Sequence, residues 1–363
     1  MGTDRDHNFR QLTGAAAPGK AAERLLSSLG VRGGVEVRPL TGGSNNRTYK
    51  VSAGGRNFLL KHYFRHAADK RNRLDAEFDF CRFAHANAVR CVPRPLARDR
   101  RARAALYEYA EGTKIRPGAV TPALVRQALG FFRALNRPGN DGAAAGLPDA
   151  SEACFSLARH IQRISGRVRR LAAADDRSPA GRKASAFIKK ELVPLWEAVA
   201  QEISARAEKL GLDPEKELTL EERRISPSDF GFHNAILPAG GRVKFIDFEY
   251  AGWDDPAKTV NDFFCQPAVP VPMEYYPGFL KAVLRGMKSA GTHALRAPIL
   301  FPAYRVKWCC ILLNCFLPAG AKRRSFANGP EAQAGQKELQ LKKAERLARG
   351  IAAGLRTGDL FPG

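Results

Sequence analysis

The stretch ISPSDFGFHNAILPAGGRVKFIDFE, residues 225–249, contains the pattern on which the fold and chemistry of this chain depend. Within it Asn234 follows Asp229 by five residues, and Asp247 ends the apolar run VKFI. The two short apolar runs on either side of AGG are typical of strands joined by a tight turn. Such a turn brings the second strand back beside the first, so we expect Asp247 to lie next to Asn234.

These three side chains match the parts that phosphoryl transfer requires. An aspartate accepts the proton of the substrate hydroxyl, an asparagine five residues later binds a metal, and a second metal-binding aspartate ends a following strand. Mg²⁺ is a hard cation that prefers oxygen ligands. The pattern therefore predicts Asp229 as the catalytic base, and Asn234 with Asp247 as the ligands of one Mg²⁺.

The letters D-F-G at 229–231 also occur in protein kinases, where that aspartate holds magnesium. Here no catalytic loop of the kinase kind precedes them at the required spacing, so Asp229 takes the catalytic position and Asp247 the metal position. An Asp-x4-Asn pair alone is common in structural loops. The strand–turn–strand and the I-D-F-E run that follow it favour the functional interpretation.

The longer run SPSDFGFHNAILPAGGRVKFIDFEYAGWDDPAKTVNDF, residues 226–263, resembles the aminoglycoside phosphotransferase / choline kinase superfamily. That pattern is roughly H-G-D-x-x-x-x-N, then I-D-[FW]-E, then G-D-P and a later aspartate. Here Ser-Pro-Ser stands where histidine and glycine usually precede the aspartate. We expect Asp255 to cap a helix at Pro256, and Asp262 to brace the catalytic loop through backbone N–H groups.

The resemblance implies an α+β, two-lobed protein-kinase-like fold, with a small antiparallel-sheet N-lobe and a larger, mainly helical C-lobe. Residues 1–18 are predicted to be a mobile tail. Residues 19–112 form the N-lobe, because their patterns follow the order α–β–β–β–α–β–β. Residues 113–363 form the C-lobe with the catalytic loop and the substrate site, because long helical patterns dominate there, including 180–211 and 275–290.

The resemblance also implies a nucleotide site in the N-lobe. LTGGSNNRTYKV, residues 40–51, looks like the phosphate loop of that family. Lys61 matches the strand lysine that contacts the α- and β-phosphates, and Glu77 is the only glutamate on the following helix that can pair with it. LYEYAEG, residues 106–112, resembles a kinase hinge, whose backbone reads the adenine edge. The expected nucleotide contacts are Gly42, Gly43, Ser44, Asn45, Lys61, Glu77, the carbonyl of Glu108 and the N–H of Ala110.

A net charge of +23, from 59 Lys and Arg against 36 Asp and Glu, could attract nucleic acid or anionic lipid. The basic residues are spread along the chain, and no nucleic-acid-binding signature accompanies the densest cluster, at 98–103. We therefore expect a basic solvated surface and no specific nucleic-acid partner. A nucleic-acid-binding protein remains an alternative, which predicts steeply salt-dependent binding.

The best membrane-span candidate, residues 297–317, is interrupted by Arg305, Lys307 and Asn314, and is predicted to be a buried helix. The seven cysteines are scattered and odd in number, which argues against a disulfide framework. The N-terminal residues have no apolar run of the secretory kind. These features predict a cytoplasmic protein without a membrane partner. The oligomeric state is not predicted.

The predicted function is an ATP-dependent small-molecule kinase that transfers the γ-phosphate to a hydroxyl, with Mg²⁺ and an aspartate base. GTP is an alternative donor. The helical lobe is basic, which favours a sugar-like acceptor that is neutral or anionic over a polycation. Two alternatives stay open: a kinase of aminoglycosides or of choline and other amino alcohols, and a nucleotide-binding pseudokinase without catalysis.

Overall fold

The computed structural model describes residues 18–40, 45–65, 71–318, 320, 326 and 334–362. The N-lobe is a five-stranded antiparallel sheet with strand order β1-β2-β3-β5-β4. Its order of elements along the chain agrees with the sequence prediction. The elements are α1 (Pro18–Ser28), β1 (Glu36–Leu40), β2 (Arg47–Ala53), β3 (Arg56–His62), α2 (Arg73–Ala86), β4 (Pro95–Asp99) and β5 (Ala104–Glu108).

Alternating side chains decide which face of this sheet is covered. Tyr49 and Val51 of β2 and Leu60 of β3 are buried on one face, where α1 packs against them through its own apolar stripe. Gly54 and Gly55 join β2 to β3 in a two-residue turn, with φ of +55° and +69°. Both angles lie in the left-handed region that the favoured hairpin turn requires.

Helix α2 covers the other face and shares its core with the C-lobe. Phe80 of α2 is fully buried, and its ring centroid lies 4.8 Å from that of Phe248, just beyond the catalytic hairpin. The side chain of Asn72 caps the helix by accepting a hydrogen bond from the Asp75 N–H. The helix that carries Glu77 is therefore fixed against both lobes.

The C-lobe is mainly helical, and its helices share an extensive apolar core. The predicted helix over 180–211 contains a π-helical turn, Ile188–Leu192, between two α-helices. The helix predicted over 275–290 ends earlier, at Val283, and Gly286 then adopts a φ of +75°. The helices are α3 (Pro122–Leu135), α4 (Asp141–Ala144), α5 (Leu157–Ala172), α6 (Pro179–Phe187), α7 (Val193–Lys209), α8 (Pro256–Cys265), α9 (Tyr276–Val283), α10 (Ala290–Leu313) and α11 (Ala334–Thr357).

Short strands between α7 and α8 hold the quoted stretch. The predicted hairpin is present as β8 (Ala235–Leu237) and β9 (Lys244–Phe245), which pair antiparallel. A strand at the lobe boundary, β6 (Thr113–Lys114), pairs with the other side of β8. Two strands that the sequence did not indicate, β7 (Arg224–Ser226) and β10 (Gly252–Asp254), pair with each other and frame the catalytic loop.

Gly112 marks the point at which the chain passes from the N-lobe sheet into β6. Its φ is +141°, and a Cβ built on it would lie 2.5 Å from the carbonyl oxygen of Leu237 in β8. Only glycine allows the two backbones to approach this closely.

Helix α10 is long and apolar enough to cross a membrane by length and composition, over Ala290–Phe316, but 78% of that window is buried inside the fold. It packs against α5, α7, α8 and α11. The buried helix that the sequence predicted is therefore confirmed, and it begins about two turns earlier, at Ala290.

Candidate active site

The catalytic loop runs from Ser226 to Asn234 and is anchored by two aromatic side chains. Phe230 and Phe232 are buried, and their rings lie 4.8 Å and 5.4 Å from the ring of Phe263 in α8. These anchors leave Asp229 partly exposed, with 29% of its side chain accessible. Because the two phenylalanines are buried, the loop is fixed with the Asp229 carboxylate at the surface of the cleft.

Two groups of the loop bind the Asp229 carboxylate. The Nε2 of His233 lies 3.1 Å from Oδ1, and Nδ2 of Asn234 donates to Oδ2 at 3.1 Å and to the Asp229 carbonyl at 3.1 Å. Burial alone would raise the pKa of Asp229, but the His233 imidazole and these hydrogen bonds lower that pKa below its usual value. The carboxylate is therefore ionised at neutral pH and can accept a hydrogen bond from a hydroxyl.

The hairpin brings Asp247 back beside the loop, as predicted. The N–H of Ile246 donates to the carbonyl oxygen of Asn234 at 2.9 Å, so the two proposed metal ligands stand on adjacent backbone segments. Asp247 has a φ of +70°, in the left-handed region. Non-glycine residues in this region are uncommon and concentrate at functional sites, and aspartate tolerates it better than most.

Lys61, Glu77 and Asp247 form one ion-pair group at the back of the cleft. Nζ of Lys61 lies 2.8 Å and 2.7 Å from the two carboxylate oxygens of Glu77, and 2.7 Å from Oδ1 of Asp247. The pairing of Lys61 with Glu77 that the sequence predicted is therefore present. Burial would lower the pKa of Lys61, but the charges of Asp247 and Glu77 raise it, so the ammonium group stays charged.

Neighbouring polar groups fix Glu77 in this position. The hydroxyl of Tyr63 donates to Oε2 at 2.8 Å and lies 2.8 Å from the hydroxyl of Tyr107. The backbone N–H of Phe248 donates to Oε1 at 3.3 Å. Since Phe248 follows Asp247 directly, the same glutamate orients both the lysine and the start of the D-F-E segment.

We expect Glu77→Gln to lower the free energy of unfolding by about 3 kcal/mol, measured by urea denaturation. Removing one partner of a buried pair costs about 3–5 kcal/mol, and Lys61 keeps Asp247, which places the loss at the lower end. Asp79→Asn is the matched control, because the Asp79 carboxylate lies on the same helix and pairs with Arg82 and Arg98 near the surface. Its loss should lower the free energy of unfolding by only about 0–1 kcal/mol. Equal losses in the two variants would contradict the special position of Glu77.

Glu249 connects the two lobes through hydrogen bonds, a role that the sequence analysis did not predict. Its side chain is fully buried and accepts hydrogen bonds from Asn45 at 2.6 Å, Asn46 at 2.8 Å and Arg73 at 2.6 Å. Asn45, itself a predicted nucleotide contact of the phosphate loop, is thus tied to the I-D-F-E segment. The acidic residue inside I-D-F-E was the available signal, but contacts 203 and 204 residues apart cannot be read from spacing.

The remaining predicted nucleotide contacts lie at or just after the end of β5, or outside the described residues. Glu108 ends β5, where its N–H donates to the Arg94 carbonyl at 2.8 Å, and Ala110 follows in the segment toward Gly112. Both stand where the sequence predicts the hinge between the lobes. The phosphate-loop prediction for Gly42, Gly43 and Ser44 lies outside the described residues, as does the predicted N-terminal tail up to residue 17.

The Ser-Pro-Ser segment before Asp229 has its own stabilising contacts. Ser228 has a φ of +65°, in the left-handed region that glycine adopts without strain. Its N–H donates to Oγ of Ser226 at 3.0 Å, and its Oγ accepts a hydrogen bond from Nζ of Lys258 at 2.8 Å. Thr259 donates to the same Ser226 hydroxyl at 2.9 Å. A polar network from α8 thus holds the left-handed serine where glycine is usual.

The two aspartates predicted to have structural roles differ in outcome. Asp255 caps α8 as predicted, because its Oδ1 accepts from the Ala257 N–H at 2.7 Å. The bracing role of Asp262 through backbone N–H groups was wrong. Its carboxylate is instead bound by Nζ of Lys307 at 2.7 Å and 2.9 Å, and Lys258 lies 3.7 Å away. A nearby ammonium group offers a charged partner, which binds a carboxylate more strongly than a neutral N–H does.

The donor set at Asn234 and Asp247 is compatible with a magnesium ion. Because Nδ2 of Asn234 donates to Asp229, the amide oxygen is the group that can face a cation. Among the described residues no group of three or more His, Cys, Asp or Glu could hold a metal ion by itself. Nucleotide-bound Mg²⁺ needs no such group, since one or two protein oxygens suffice beside phosphates and waters.

Comparison with known proteins places this geometry in context. The model of the phosphotransferase enzyme family matches residues 36–297. The ADP-bound aminoglycoside phosphotransferase APH(2'')-Ib is 14% identical, with 91% of this chain and 96% of that one covered and a TM-score of 0.53. Choline kinase LicA from Streptococcus pneumoniae is 15% identical, with 91% and 98% covered and a TM-score of 0.55.

Spectinomycin phosphotransferase APH(9)-Ia, in complex with ADP and spectinomycin, is 10% identical, with 90% and 97% covered and a TM-score of 0.57. No curated protein matches the chain in sequence. These solved structures share the fold over 90–91% of this chain. The two-lobed protein-kinase-like α+β fold that the sequence predicted is therefore confirmed.

Proposed function

Since this chain belongs to the phosphotransferase enzyme family and is a phosphotransferase with an alcohol group as acceptor, we propose that it transfers the γ-phosphate of ATP to a hydroxyl of a small metabolite. The observation that carries this proposal is the meeting of two groups at one cleft. One is the Lys61–Glu77–Asp247 ion-pair group, and the other is Asp229 with Asn234, joined to the first through the hairpin backbone.

In this proposal each side chain has one task. Lys61, held by Glu77, contacts the α- and β-phosphates. Asp229 accepts a hydrogen bond from the acceptor hydroxyl and aims its oxygen at the γ-phosphorus. The new bond forms between these two atoms, the bond from the γ-phosphorus to the bridging oxygen breaks, and the hydroxyl proton leaves by way of Asp229. Positioning and electrostatics supply most of the rate.

The amide oxygen of Asn234 and the carboxylate of Asp247 would hold the magnesium ion, which when bound neutralises charge on the phosphates. Asp247 also binds Lys61, so the same carboxylate would align the lysine and the ion. The hinge segment at Glu108 and Ala110 would bind the adenine edge, with ATP favoured and GTP as the alternative donor. Gly42, Gly43 and Ser44 are proposed to contact the phosphates.

A neutral or anionic acceptor is favoured over an aminoglycoside or choline, as the net charge of +23 suggests. The relatives named for aminoglycosides and for choline differ from this chain at about 85% of positions or more, so their substrates are only the alternative. The complete set of Lys61, Asp229, Asn234 and Asp247 argues against a pseudokinase. We expect the protein to act in the cytoplasm.

The test is ligand stabilisation followed by turnover. ATP with Mg²⁺ at about 100 times its Kd should raise the free energy of unfolding by about 2.7 kcal/mol, measured by thermal unfolding, and EDTA should remove most of this gain. ADP formation is then screened with neutral sugars, sugar phosphates, amino alcohols and aminoglycosides. Stabilisation without ADP formation from any acceptor would support the pseudokinase, and no stabilisation by Mg·ATP would reject the nucleotide site.

A further inference from the structure

A second set of charged side chains lies directly behind the catalytic loop, and the phosphotransfer roles above do not use it. Three of its cations, Arg163, Lys258 and Lys307, line a cavity of about 10 Å³ between α5, α8 and α10, roughly enough for one water molecule. We call the four cations of the set the basic cluster: Arg163 and Arg167 of α5, Lys258 of α8 and Lys307 of α10.

The basic cluster contacts one end of the catalytic loop, and the chain neighbour of its member Lys307 contacts the other end. At one end, Nζ of Lys258 donates to the hydroxyl of Ser228 at 2.8 Å, one residue before Asp229. At the other end, Trp308 follows Lys307 in the chain, and its ring centroid lies 5.8 Å from that of His233. His233 in turn binds the Asp229 carboxylate, and the charge of Lys307 is among the causes that lower the pKa of Asp229, so the cluster lies within electrostatic reach of the predicted base.

The carboxylates near the basic cluster are already neutralised. Glu152 binds Arg167, Asp254 binds Lys258, and Asp262 binds both Lys307 and Lys258. Burial alone would raise the pKa of Glu152, but Arg167 above all lowers that pKa to about 2, so it stays ionised and paired. No carboxylate of this group is left to bind a ligand cation.

Arg163 is the member of the cluster that forms no ion pair with a carboxylate in the described part of the chain, although its side chain lies within hydrogen-bonding reach of the Cys154 thiol. It is exposed, it lines the cavity, and no carboxylate of the described residues lies within 4.0 Å of it. A guanidinium group binds phosphate and carboxylate with matched, paired hydrogen bonds. The outer side of the cluster therefore presents an anion-binding group rather than a cation-binding one.

The aromatic ring of Tyr250, three residues after Asp247, gives the same indication. Tyr250 could offer its face to a ligand ammonium group, but the guanidinium groups of Arg71 and Arg73 lie 5.2 Å and 5.1 Å from its centroid. Arg71 also reaches Oγ of Ser151, next to Glu152, at 3.2 Å. A cationic ligand there would meet like charge, which disfavours its binding.

Resting on the phosphotransfer function proposed above, we propose that the acceptor carries an anionic group, a phosphate or a carboxylate, beside the hydroxyl that is phosphorylated. Arg163 binds this group, Lys307 adds positive charge beside it, and Asp229 orients the hydroxyl. The acceptor is thus an alcohol that already carries a phosphate or a carboxylate. The reaction that supplies this substrate is therefore one that forms its phosphate ester or its carboxylate.

Four three-carbon or similar alcohols of different charge test the proposal: glycerol 3-phosphate, glycerate, glycerol and choline. Each is added to the protein saturated with Mg·ADP, and the shift in unfolding temperature is measured at low ionic strength, where charge attraction is least screened. We expect glycerol 3-phosphate or glycerate to stabilise the complex and to lose the effect in high salt. The stronger of the two identifies phosphate or carboxylate as the group. Equal or greater stabilisation by choline or glycerol would overturn the proposal, as would no shift with either anion.

The variant Arg163→Gln assigns the effect to the basic cluster. Removing one charge-assisted contact should raise the apparent Kd of the anionic probe about tenfold or more. Arg169→Gln is the matched control, an exposed arginine of α5 that does not line the cavity, and it should bind the probe as wild type does. An unchanged Kd in Arg163→Gln, with a normal urea midpoint, would contradict the assignment. Stabilisation by Mg·ATP is measured first in every variant, so a failure of the nucleotide site is distinguished from a failure of the anionic acceptor.

Discussion

Asp229→Asn is expected to lower the turnover number by at least about 10²-fold, the usual scale for a positioned acid–base group. The asparagine keeps the size of the side chain and can still meet His233 and Asn234, so the loop is preserved. It cannot take the proton of the acceptor hydroxyl, and it lacks the charge that aligns that hydroxyl. The measurement is steady-state ADP formation with the best acceptor of the screen.

Two controls separate this effect from unfolding. Asp175→Asn changes an exposed aspartate whose ion pair is with Arg177, two residues away, and it should keep wild-type turnover. Stabilisation by Mg·ATP should persist in Asp229→Asn, because the proposed nucleotide contacts are Lys61 for the phosphates and Asp247 for the magnesium ion, not Asp229. Near-wild-type turnover in Asp229→Asn would show that another group serves as the base.

Asp247→Asn is expected to lower turnover by about 10²–10³-fold, the scale for losing one electrostatic stabiliser of a transition state. Asparagine is the informative replacement, because the position has a φ of +70° and asparagine, like aspartate, tolerates that region. The variant therefore removes the charge without adding backbone strain. It weakens the hold on magnesium and deprives Lys61 of one of its two carboxylates.

Calorimetric titration with ATP distinguishes the metal role from a purely structural one. In the wild type, Mg²⁺ should strengthen ATP binding, and in Asp247→Asn most of that magnesium-dependent gain should be lost. ATP binding in EDTA should be much less affected, since Lys61 keeps Glu77. A magnesium-dependent gain equal to that of the wild type would contradict the assignment of Asp247 as a ligand.

The features that the sequence predicted well are those encoded by local spacing. The strands around Gly54 and Gly55 alternate with period two, and the hairpin from Asn234 to Asp247 is set by two apolar runs and one turn. The pairing of Lys61 with Glu77 was found by elimination, because the following helix contains a single glutamate. In each case the decisive residues lie close together in the chain.

The features that were missed depend on contacts between distant segments. Strands β7 and β10 have three residues each, too few for any period to show. Glu249 accepts hydrogen bonds from residues about 200 positions away. Asp262 pairs with Lys307, which lies 45 positions later. Burial decides these pairings, because a desolvated charge must find a partner wherever the fold supplies one.

The close approach of Gly112 to Leu237 has a mechanical consequence. The connection between the lobes is pressed against the strand that begins directly after Asn234, with no room for even a methyl group. This connection is therefore poorly suited to act as a free hinge between the lobes. We expect any rotation of the N-lobe about this point to displace β8 and the Asn234 amide before it, so that opening the cleft would also disturb the proposed magnesium site.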